Sequence, residues 1–138
     1  MNKSTNSNRK FVQLIWHELM NEYLRGFDYK GTCVIEFIYE KLNFINSDEA
    51  LDQIRNIINE FNLPAVILVL DNIRHINSVG MGLLIAIKNI CAKKGFDIYL
   101  VCKQVEIIKI FRLTKMEIFF NIFETLDETV QWITNKVN

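Results

Sequence analysis

"VILVLDNIRHINSVGMGLLIAI", residues 66–87, begins as one kind of secondary structure and ends as another. Its first residues belong to a continuous apolar run, residues 65–70, which predicts a strand buried on both faces of a sheet. A polar segment follows, and the apolar residues after it recur with the spacing of a helix, from about residue 79 to residue 94. Ser78 stands where the strand gives way to the helix, just ahead of Gly80 and Gly82. This junction between strand and helix is therefore the first candidate for a functional site.

The same alternation of strands and helices continues on both sides of this stretch. Strands are predicted at residues 24–27, 32–38, 97–102 and 119–123, and helices at residues 47–61 and 104–113. Gly31 permits a turn with positive φ, Gly95 is expected as a left-handed helix cap, and Thr125 with Glu128 predicts a capping box for a last helix. Strands separated by helices pair in parallel. The sequence therefore predicts an α/β fold, a small mixed but mostly parallel sheet with helices packed against it.

Length and hydrophobicity predict one compact domain. The chain has 138 residues, of which 50% are hydrophobic, and a single core suits that size. We assign the domain to residues 23–138 and an N-terminal extension to residues 1–22. The extension starts as a polar tail, and its later apolar residues predict a helix at residues 11–23, although a strand also accounts for the start of that segment. We expect this helix to pack on the domain or to join two chains as a homodimer.

The N-terminal sequence also bears on cellular location. The first ten residues, MNKSTNSNRK, are polar, and the apolar residues after them are interrupted by Gln13, His17 and Glu18, unlike the core of a signal peptide. The longest apolar runs are much too short to cross a bilayer. We therefore expect a cytoplasmic protein without a membrane partner.

Charge and metal-binding residue types exclude several function classes. Sixteen basic and sixteen acidic residues give a formal net charge of zero, whereas nucleic-acid binding needs clustered positive charge. Cys33, Cys91 and Cys102 lie inside apolar runs without paired spacing, which favours reduced thiols in the core. His17 and His75 are distant in sequence and have no Cys or His at ligand spacing. We expect no nucleic-acid partner, no metal site and no cofactor.

The position of Ser78 has three interpretations. Its side-chain oxygen can cap the following helix, which is typically worth about 1 kcal/mol. Helix N-termini beyond the carboxyl ends of parallel strands also attract anionic ligands, although Gly80-Met81-Gly82 matches neither a dinucleotide-binding motif nor a P-loop. The third is phosphorylation, which adds about 1.5 to 2 negative charges to a surface able to bind a partner. The residues alone leave all three open.

No catalytic constellation is evident around Ser78. The sequence lacks a G-x-S-x-G motif, and the nearest histidine, His75, has no evident carboxylate partner. Asp71, Asp97 and Glu106 form no recognisable pair, and we interpret them as surface charges and turn residues. The sequence therefore favours a non-enzymatic protein without catalytic residues, in which Ser78 is a substrate rather than a nucleophile.

The segment Leu70–Gly82, "LDNIRHINSVGMG", resembles the signature of STAS domains, the anti-sigma factor antagonist family. In that family an apolar strand leads into L-D, five residues, then D-S-(S/T)-G-(L/I)-G and a helix. Leu42-Asn43 falls where the family usually has Leu-Asp, and Phe111–Met116, "FRLTKM", resembles the family's F-x-L-(S/T)-G-L. The resemblance covers roughly residues 23–137 and agrees with the order of elements derived above.

For the bacterial signalling members, this resemblance implies a switch between partners. The unphosphorylated domain binds an anti-sigma factor, a serine kinase with a histidine-kinase-like ATPase fold, and thereby frees a sigma factor for transcription. The same kinase phosphorylates the serine of the D-S motif, and a metal-dependent serine phosphatase removes the phosphate. The phosphorylated serine corresponds to Ser78. The residues that the resemblance places in the partner-binding patch are Asn43, Asn77, Ser78, Val79, Gly80 and Met81.

Four positions depart from the family's pattern. The two aspartates near the serine are Asn43 and Asn77 here, which lowers the repulsion toward a phosphate but also removes two acids available for recognition by a kinase. Val79 replaces the second Ser or Thr, so Ser78 is the only hydroxyl-bearing residue of the motif. Lys115 replaces a glycine of left-handed geometry, at a cost of about 1 kcal/mol.

Two other functions stay open at this point. STAS domains also serve as constitutive scaffolds or subunits, in stress-signalling assemblies and in lipid-transport complexes. The fold does not decide between such a subunit and a phosphorylation switch. Nucleotide binding near Ser78 has been proposed for the family in general, and the missing phosphate-binding motif and missing carboxylates argue against it here.

Overall fold

A main sheet of five strands and a separate pair of short strands form the framework of the chain. The computed structural model describes residues 24–38, 41–42, 47–60 and 65–137. The strands in these residues are β1 (Leu24–Tyr29), β2 (Thr32–Phe37), β3 (Lys41–Leu42), β4 (Ala65–Val69), β5 (His75–Ile76), β6 (Asp97–Val101) and β7 (Asn121–Phe123). The helices are α1 (Ser47–Asn59), α2 (Ser78–Lys93), α3 (Val105–Leu113) and α4 (Leu126–Val137), with a 3₁₀ turn at Met116–Ile118.

The main sheet has the strand order β1-β2-β4-β6-β7. β1 and β2 are antiparallel, whereas β2, β4, β6 and β7 run parallel. In the central strand, Val66 is in register with Cys33 of β2 and Ile98 of β6. Along the chain, α1, α2 and α3 separate the successive parallel strands. The α/β class and the mixed, mostly parallel sheet predicted from the sequence are confirmed.

β4 is buried on both faces because helices cover both sides of the sheet. Leu68 points into the larger core cluster, to which α1, α2 and α3 contribute. Ile67 points into the smaller cluster, which includes Val130 of α4. All five residues of the strand are buried, as an unbroken apolar run predicts for the centre of a parallel sheet.

The turns expected at Gly31 and Gly95 are present, with small shifts in the neighbouring elements. Lys30 and Gly31 have φ values of 51° and 83°, the combination of a two-residue type I′ hairpin turn. β1 therefore extends to Tyr29, two residues beyond its predicted end at residue 27. α2 ends at Lys93, and Gly95 has a φ of 78°, as expected for a left-handed cap.

The segment after α3 differs more from its prediction. The strand predicted from residue 119 begins only at Asn121, because the chain first makes the 3₁₀ turn. Phe119 closes that turn, and its amide donates to the Met116 carbonyl at 3.0 Å. The capping box of α4 is confirmed: the Glu128 amide donates to Thr125 Oγ1 at 3.1 Å, and the Thr125 amide donates to Glu128 Oε1 at 3.2 Å.

The three cysteines are free thiols within the core, which confirms the prediction. Burial raises the pKa of the Cys91 thiol to about 11. Burial likewise raises the pKa of Cys33 and of Cys102. The thiolate, which is the reactive form of cysteine, is therefore scarce at neutral pH.

The N-terminal extension at residues 1–22 lies outside the described residues, and so does its predicted helix at residues 11–23. Its packing, and a homodimer formed through it, stay predictions. The described part of the domain begins at Leu24, the first residue of β1, whose side chain is fully buried.

Lys115 adopts the left-handed backbone conformation that the family's glycine predicts, with φ 61° and ψ 19°. It follows Thr114, the C-cap of α3, and its amide donates to the Arg112 carbonyl at 3.1 Å. A side chain with a Cβ costs roughly 1–2 kcal/mol in this conformation. The departure from glycine is therefore a source of backbone strain at the end of α3.

Lys115→Gly is expected to raise the free energy of unfolding by about 1 kcal/mol, because glycine adopts a positive φ without Cβ strain. Urea unfolding followed by circular dichroism measures the change. Lys115→Ala is the matched control, since it removes the charge but keeps the Cβ. An equal rise in both variants would mean that the lysine charge, and not the backbone, destabilises the native chain.

Candidate functional site

The connection between β4 and α2 starts with a turn anchored in the core. The Leu70 amide donates to the Val101 carbonyl at 2.8 Å and so continues the hydrogen bonding between β4 and β6 beyond the end of β4. The Ile73 amide donates to the Leu70 carbonyl at 3.0 Å, and both of these side chains are fully buried. The chain that leads to α2 is therefore fixed at its origin.

Asp71 links this turn to the loop between β6 and α3. Its carboxylate Oδ1 accepts a hydrogen bond from the Lys103 amide at 3.1 Å, and its carbonyl accepts one from the Gln104 side-chain amide at 2.6 Å. The interpretation of Asp71 as a surface or turn charge is therefore incomplete, because the carboxylate positions a neighbouring loop. Its place directly after a buried strand, in the Leu-Asp of the motif, was the sequence feature that marked it.

Asn72 ties the same turn to β2, on the other side of β4. Its side-chain Nδ2 donates to the Phe37 carbonyl at 3.3 Å and to Glu36 Oε2 at 3.4 Å. The turn after β4 is thus held by hydrogen bonds to both neighbouring strands or to the residues that follow them. The position of Ser78 relative to the sheet follows from these contacts.

A second, two-stranded parallel sheet lies just before α2. β3 pairs with β5, so that Lys41 is in register with His75 and Leu42 with Ile76. The residue after Ile76 is Asn77, and the residue after Leu42 is Asn43. This pairing brings two segments more than thirty residues apart in sequence to one place. Asn43 itself lies outside the described residues, so its place in the partner-binding patch stays a prediction.

Asn77, and not Ser78, caps α2. It has extended backbone angles, φ −121° and ψ −173°, and its side-chain Oδ1 accepts a hydrogen bond from the Gly80 amide at 3.0 Å. Its carbonyl accepts from the Met81 amide at 2.9 Å. Ser78 is the first residue of the helix. The capping interpretation of Ser78 is therefore corrected, because the neighbouring asparagine makes the N-cap hydrogen bond.

The first turn of α2 divides into an exposed and a buried side. Asn77 and Ser78 are exposed, and Val79 is 48% exposed although it is apolar. Gly80 and Met81 are buried and form the side of the turn that faces the core. Of the predicted contact residues in this turn, the structure thus presents the first three to solvent.

The exposed side continues along α2 through residues that the sequence analysis did not single out. Val79, Gly82 and Ile85 follow one another at a spacing of three, and all are exposed. A Cβ placed on Gly82 would meet no atom within 4 Å, so this glycine is not required by packing within the chain. Leu83, Leu84, Ile87 and Cys91 of the same helix are buried, so the exposed positions lie on the opposite side.

The electrostatics of this surface favour an anion at Ser78. The first turn of α2 carries no acidic side chain, and Asn77 is neutral. The first amides of a helix and its macrodipole attract negative charge. A phosphate on an exposed residue at the first helical position is therefore compatible with the fold.

Comparison with known protein families matches residues 28–129 to the STAS domain. The chain belongs to the STAS domain family. The match runs from the end of β1 into α4 and includes the whole connection from β4 to α2. The STAS resemblance of the motif in residues 70–82 is thereby confirmed.

Three solved structures share the fold of this STAS domain. An anti-sigma factor antagonist from Mycobacterium paratuberculosis has a TM-score of 0.66 at 20% identity, over 80% of this chain and 92% of its own. A protein from Thermotoga maritima, assigned as an anti-sigma factor antagonist, has a TM-score of 0.68 at 18% identity, over 80% and 94%. The anti-sigma factor antagonist SpoIIAA in its unphosphorylated form has a TM-score of 0.66 at 16% identity, over 83% and 99%.

Two further observations concern metal-binding side chains and membrane-spanning helices. Within residues 24–38, 41–42, 47–60 and 65–137, no three His, Cys, Asp or Glu side chains are grouped so as to hold a metal ion. None of the helices in those same ranges combines the length and apolar character needed to span a membrane.

Asn77→Ala is expected to lower the free energy of unfolding by about 1 kcal/mol through loss of the cap, whereas Asn77→Asp retains the cap. The aspartate also adds a favourable charge at the helix N-terminus, worth roughly 0.3–1 kcal/mol. Ser78→Ala is the neighbouring control and is expected to change stability by less than about 0.5 kcal/mol. Urea unfolding of the three variants would refute the assignment if Ser78→Ala were as destabilising as Asn77→Ala.

Proposed function

We propose that the chain is an anti-sigma factor antagonist that changes partners through phosphorylation of Ser78. In its unphosphorylated form it binds an anti-sigma factor with a kinase-like ATPase fold and so releases a sigma factor. Phosphorylation by that kinase ends the complex, and a serine phosphatase restores it. The observation that carries the proposal is the exposed Ser78 at the first position of α2, next to an N-cap supplied by Asn77.

The division of roles between these two residues supports the proposal. Because Asn77 makes the capping hydrogen bond at 3.0 Å, the hydroxyl of Ser78 is not needed to start the helix. A phosphate on Ser78 would therefore leave the helix cap in place, and the helix N-terminus would stabilise its charge. Ser78 is also the only hydroxyl-bearing residue between Leu70 and Gly82, so no neighbouring residue competes as a phosphate acceptor in the motif.

The neutral surface around Ser78 gives a phosphate a large effect on binding. With Asn77 in place of the family's aspartate, the exposed first turn carries no charge before modification. About 1.5–2 negative charges on Ser78 would then replace an uncharged contact with a strongly hydrated one. A like charge or an apolar group on the partner would be opposed to that phosphate, at a cost of several kcal/mol.

The proposal is for a binding protein without catalytic residues that acts in the cytoplasm. Its contact surface comprises Asn77, Ser78 and the exposed stripe Val79, Gly82 and Ile85, together with Asn43 from the segment that follows β3. Gly80 and Met81 belong to the site as buried supports of the first turn. The partners are proteins, and the proposal includes no nucleic acid, membrane, metal or cofactor.

Ser78→Glu is expected to capture at least about tenfold less of a kinase-fold partner than Ser78→Ala does. A loss of about 1.4 kcal/mol of binding free energy is enough for a tenfold decrease. Tagged full-length variants are incubated with lysate of the native host, and captured proteins are quantified by mass spectrometry. Asn89→Glu is the matched control, since it adds the same charge to an exposed position three turns further along α2.

Each outcome of this capture experiment has a definite meaning. Capture by Ser78→Ala and Asn89→Glu, with loss in Ser78→Glu, supports the switch. Equal capture by Ser78→Ala and Ser78→Glu overturns it, and transporter or scaffold subunits in both would indicate a constitutive STAS subunit instead. Loss in Asn89→Glu as well would mean that charge on α2 in general, and not the position of Ser78, controls binding.

Gly82→Gln is expected to stabilise the chain by about 0.5–1 kcal/mol, because glutamine is the better helix former and a Cβ at this position meets no other atom. The same variant is expected to weaken capture of the partner by at least about tenfold, since the longer side chain separates two surfaces in contact. Urea unfolding and the capture experiment measure the two effects. Asn89→Gln serves as control, and unchanged capture by Gly82→Gln would remove the α2 stripe from the proposed contact surface.

A further inference from the structure

β7 forms one edge of the main sheet and has a described neighbour on one side only, β6. The Phe123 carbonyl accepts a hydrogen bond from the Cys102 amide at 2.9 Å. In a strand, the amide and carbonyl of the next residue point to the opposite edge. The backbone groups of Ile122 therefore face away from β6, where no strand among the described residues pairs with β7.

This edge lacks the charges with which sheet edges are normally protected. The run Ile118–Phe123, "IFFNIF", contains no charged residue and no proline. Natural proteins place lysine, other charges or proline on such edges to prevent pairing with another chain. The opposite edge strand, β1, follows that rule, because it carries Arg25 and Asp28. β7 is protected by its length of three residues, and Arg112, Glu117 and Glu124 line the groove beside it. The strand itself, however, carries no charge that opposes pairing with a second strand.

Four exposed apolar side chains lie on the elements next to β7, namely the end of α3, the 3₁₀ turn with the residue that closes it, and α4. We name these residues, Leu113, Ile118, Phe119 and Trp132, the β7 surface. They are 83%, 75%, 51% and 50% exposed. An ion pair between Arg112 and Glu117 at 3.5 Å joins the end of α3 to the 3₁₀ turn, which packs against β7. Trp132 of α4 lies beside β7, with its ring centroid 6.1 Å from that of Phe123.

We propose that the β7 surface is the interface of a homodimer, in which β7 of two copies pair in antiparallel orientation and continue the sheet from one chain into the other. A two-fold interface brings the same surface of each chain together. Like charges directly opposite each other destabilise such pairs, and the uncharged run at 118–123 avoids them. The edge of β7 is therefore complementary to itself.

The area of the β7 surface suits a small dimer interface. Applied to side chains of roughly 150–250 Å², the exposed fractions of the four residues amount to about 500 Å² per chain. Two copies together would then bury about 1,000 Å², which is near the lower limit for a specific interface.

The chain's own N-terminal extension is the other candidate occupant of this edge, because its 22 residues can span the width of the sheet, and the tests below distinguish it from a second copy. It joins the domain at Leu24 on β1, which is the opposite edge of the five-stranded sheet. Four strand spacings, about 19 Å, separate β1 from β7. Ser78 lies in the first turn of α2 and is not part of the β7 surface, so the homodimer does not depend on the proposed switch.

Sedimentation equilibrium of the full-length chain over a range of concentrations tests the proposal. The wild type is expected to form dimers, and Ile118→Lys and Phe119→Lys are each expected to weaken the dimer by at least about tenfold. Val105→Lys is the matched control, because Val105 is 64% exposed and lies at the other end of α3 from Leu113. This control is expected to dimerise like the wild type.

Hydrogen exchange of the unmodified chain provides a second test that needs no variant. The amide of Ile122 is expected to exchange more slowly as dimers form, because it gains a partner across the two-fold axis. A chain that stays monomeric at all concentrations would overturn the proposal. So would a dimer that both lysine variants leave unchanged, or one that forms without protection of Ile122, since either result places the interface elsewhere, for example in the N-terminal extension.

Discussion

Burial of β4 on both faces is the constraint from which the rest of the structure follows. A strand with apolar side chains on both sides has no access to water, so its backbone groups must pair with strands at both edges. β2 and β6 meet this requirement, and helices must then cover both faces. The chain leaves this strand at the carboxyl edge of the sheet, where Asp71 binds the loop after β6 and Asn72 binds the end of β2. The position of the exposed helix start is thus set by the core.

The sequence allowed prediction of those features that depend on local pattern. The apolar run at 65–70, the helix behind it and the left-handed geometry at Gly95 each have a cause within a few residues, and the structure confirms them. The left-handed geometry at Lys115 was expected only from the glycine that the family has there. The features that were missed depend on partners distant in sequence. The two-residue pairing of β3 with β5 has no periodicity to detect, and the role of Asp71 becomes visible only when Lys103 is beside it.

The N-cap of α2 shows a different limit of sequence reasoning. Asn77 and Ser78 are adjacent, and both side chains suit an N-cap almost equally well. The choice between them depends on which residue keeps an extended backbone, and the pairing of β5 with β3 fixes that boundary one residue before Asn77. Because the asparagine takes the structural role, the serine is left as an exposed group with no packing duty. Asn77 thus has the structural role and leaves the neighbouring Ser78 hydroxyl available for modification.

The burial of all three thiols has a consequence for the conditions in which the protein operates. Peroxide and disulfide exchange act on the thiolate, and the raised pKa of these cysteines together with their burial keeps that form rare and inaccessible. The folded domain therefore has no described cysteine thiol that would respond readily to oxidants. Glutathionylation and sulfenic acid formation should reach it only after unfolding. In a cell under oxidative stress, the cysteines of the native state would stay reduced, as in an unstressed one.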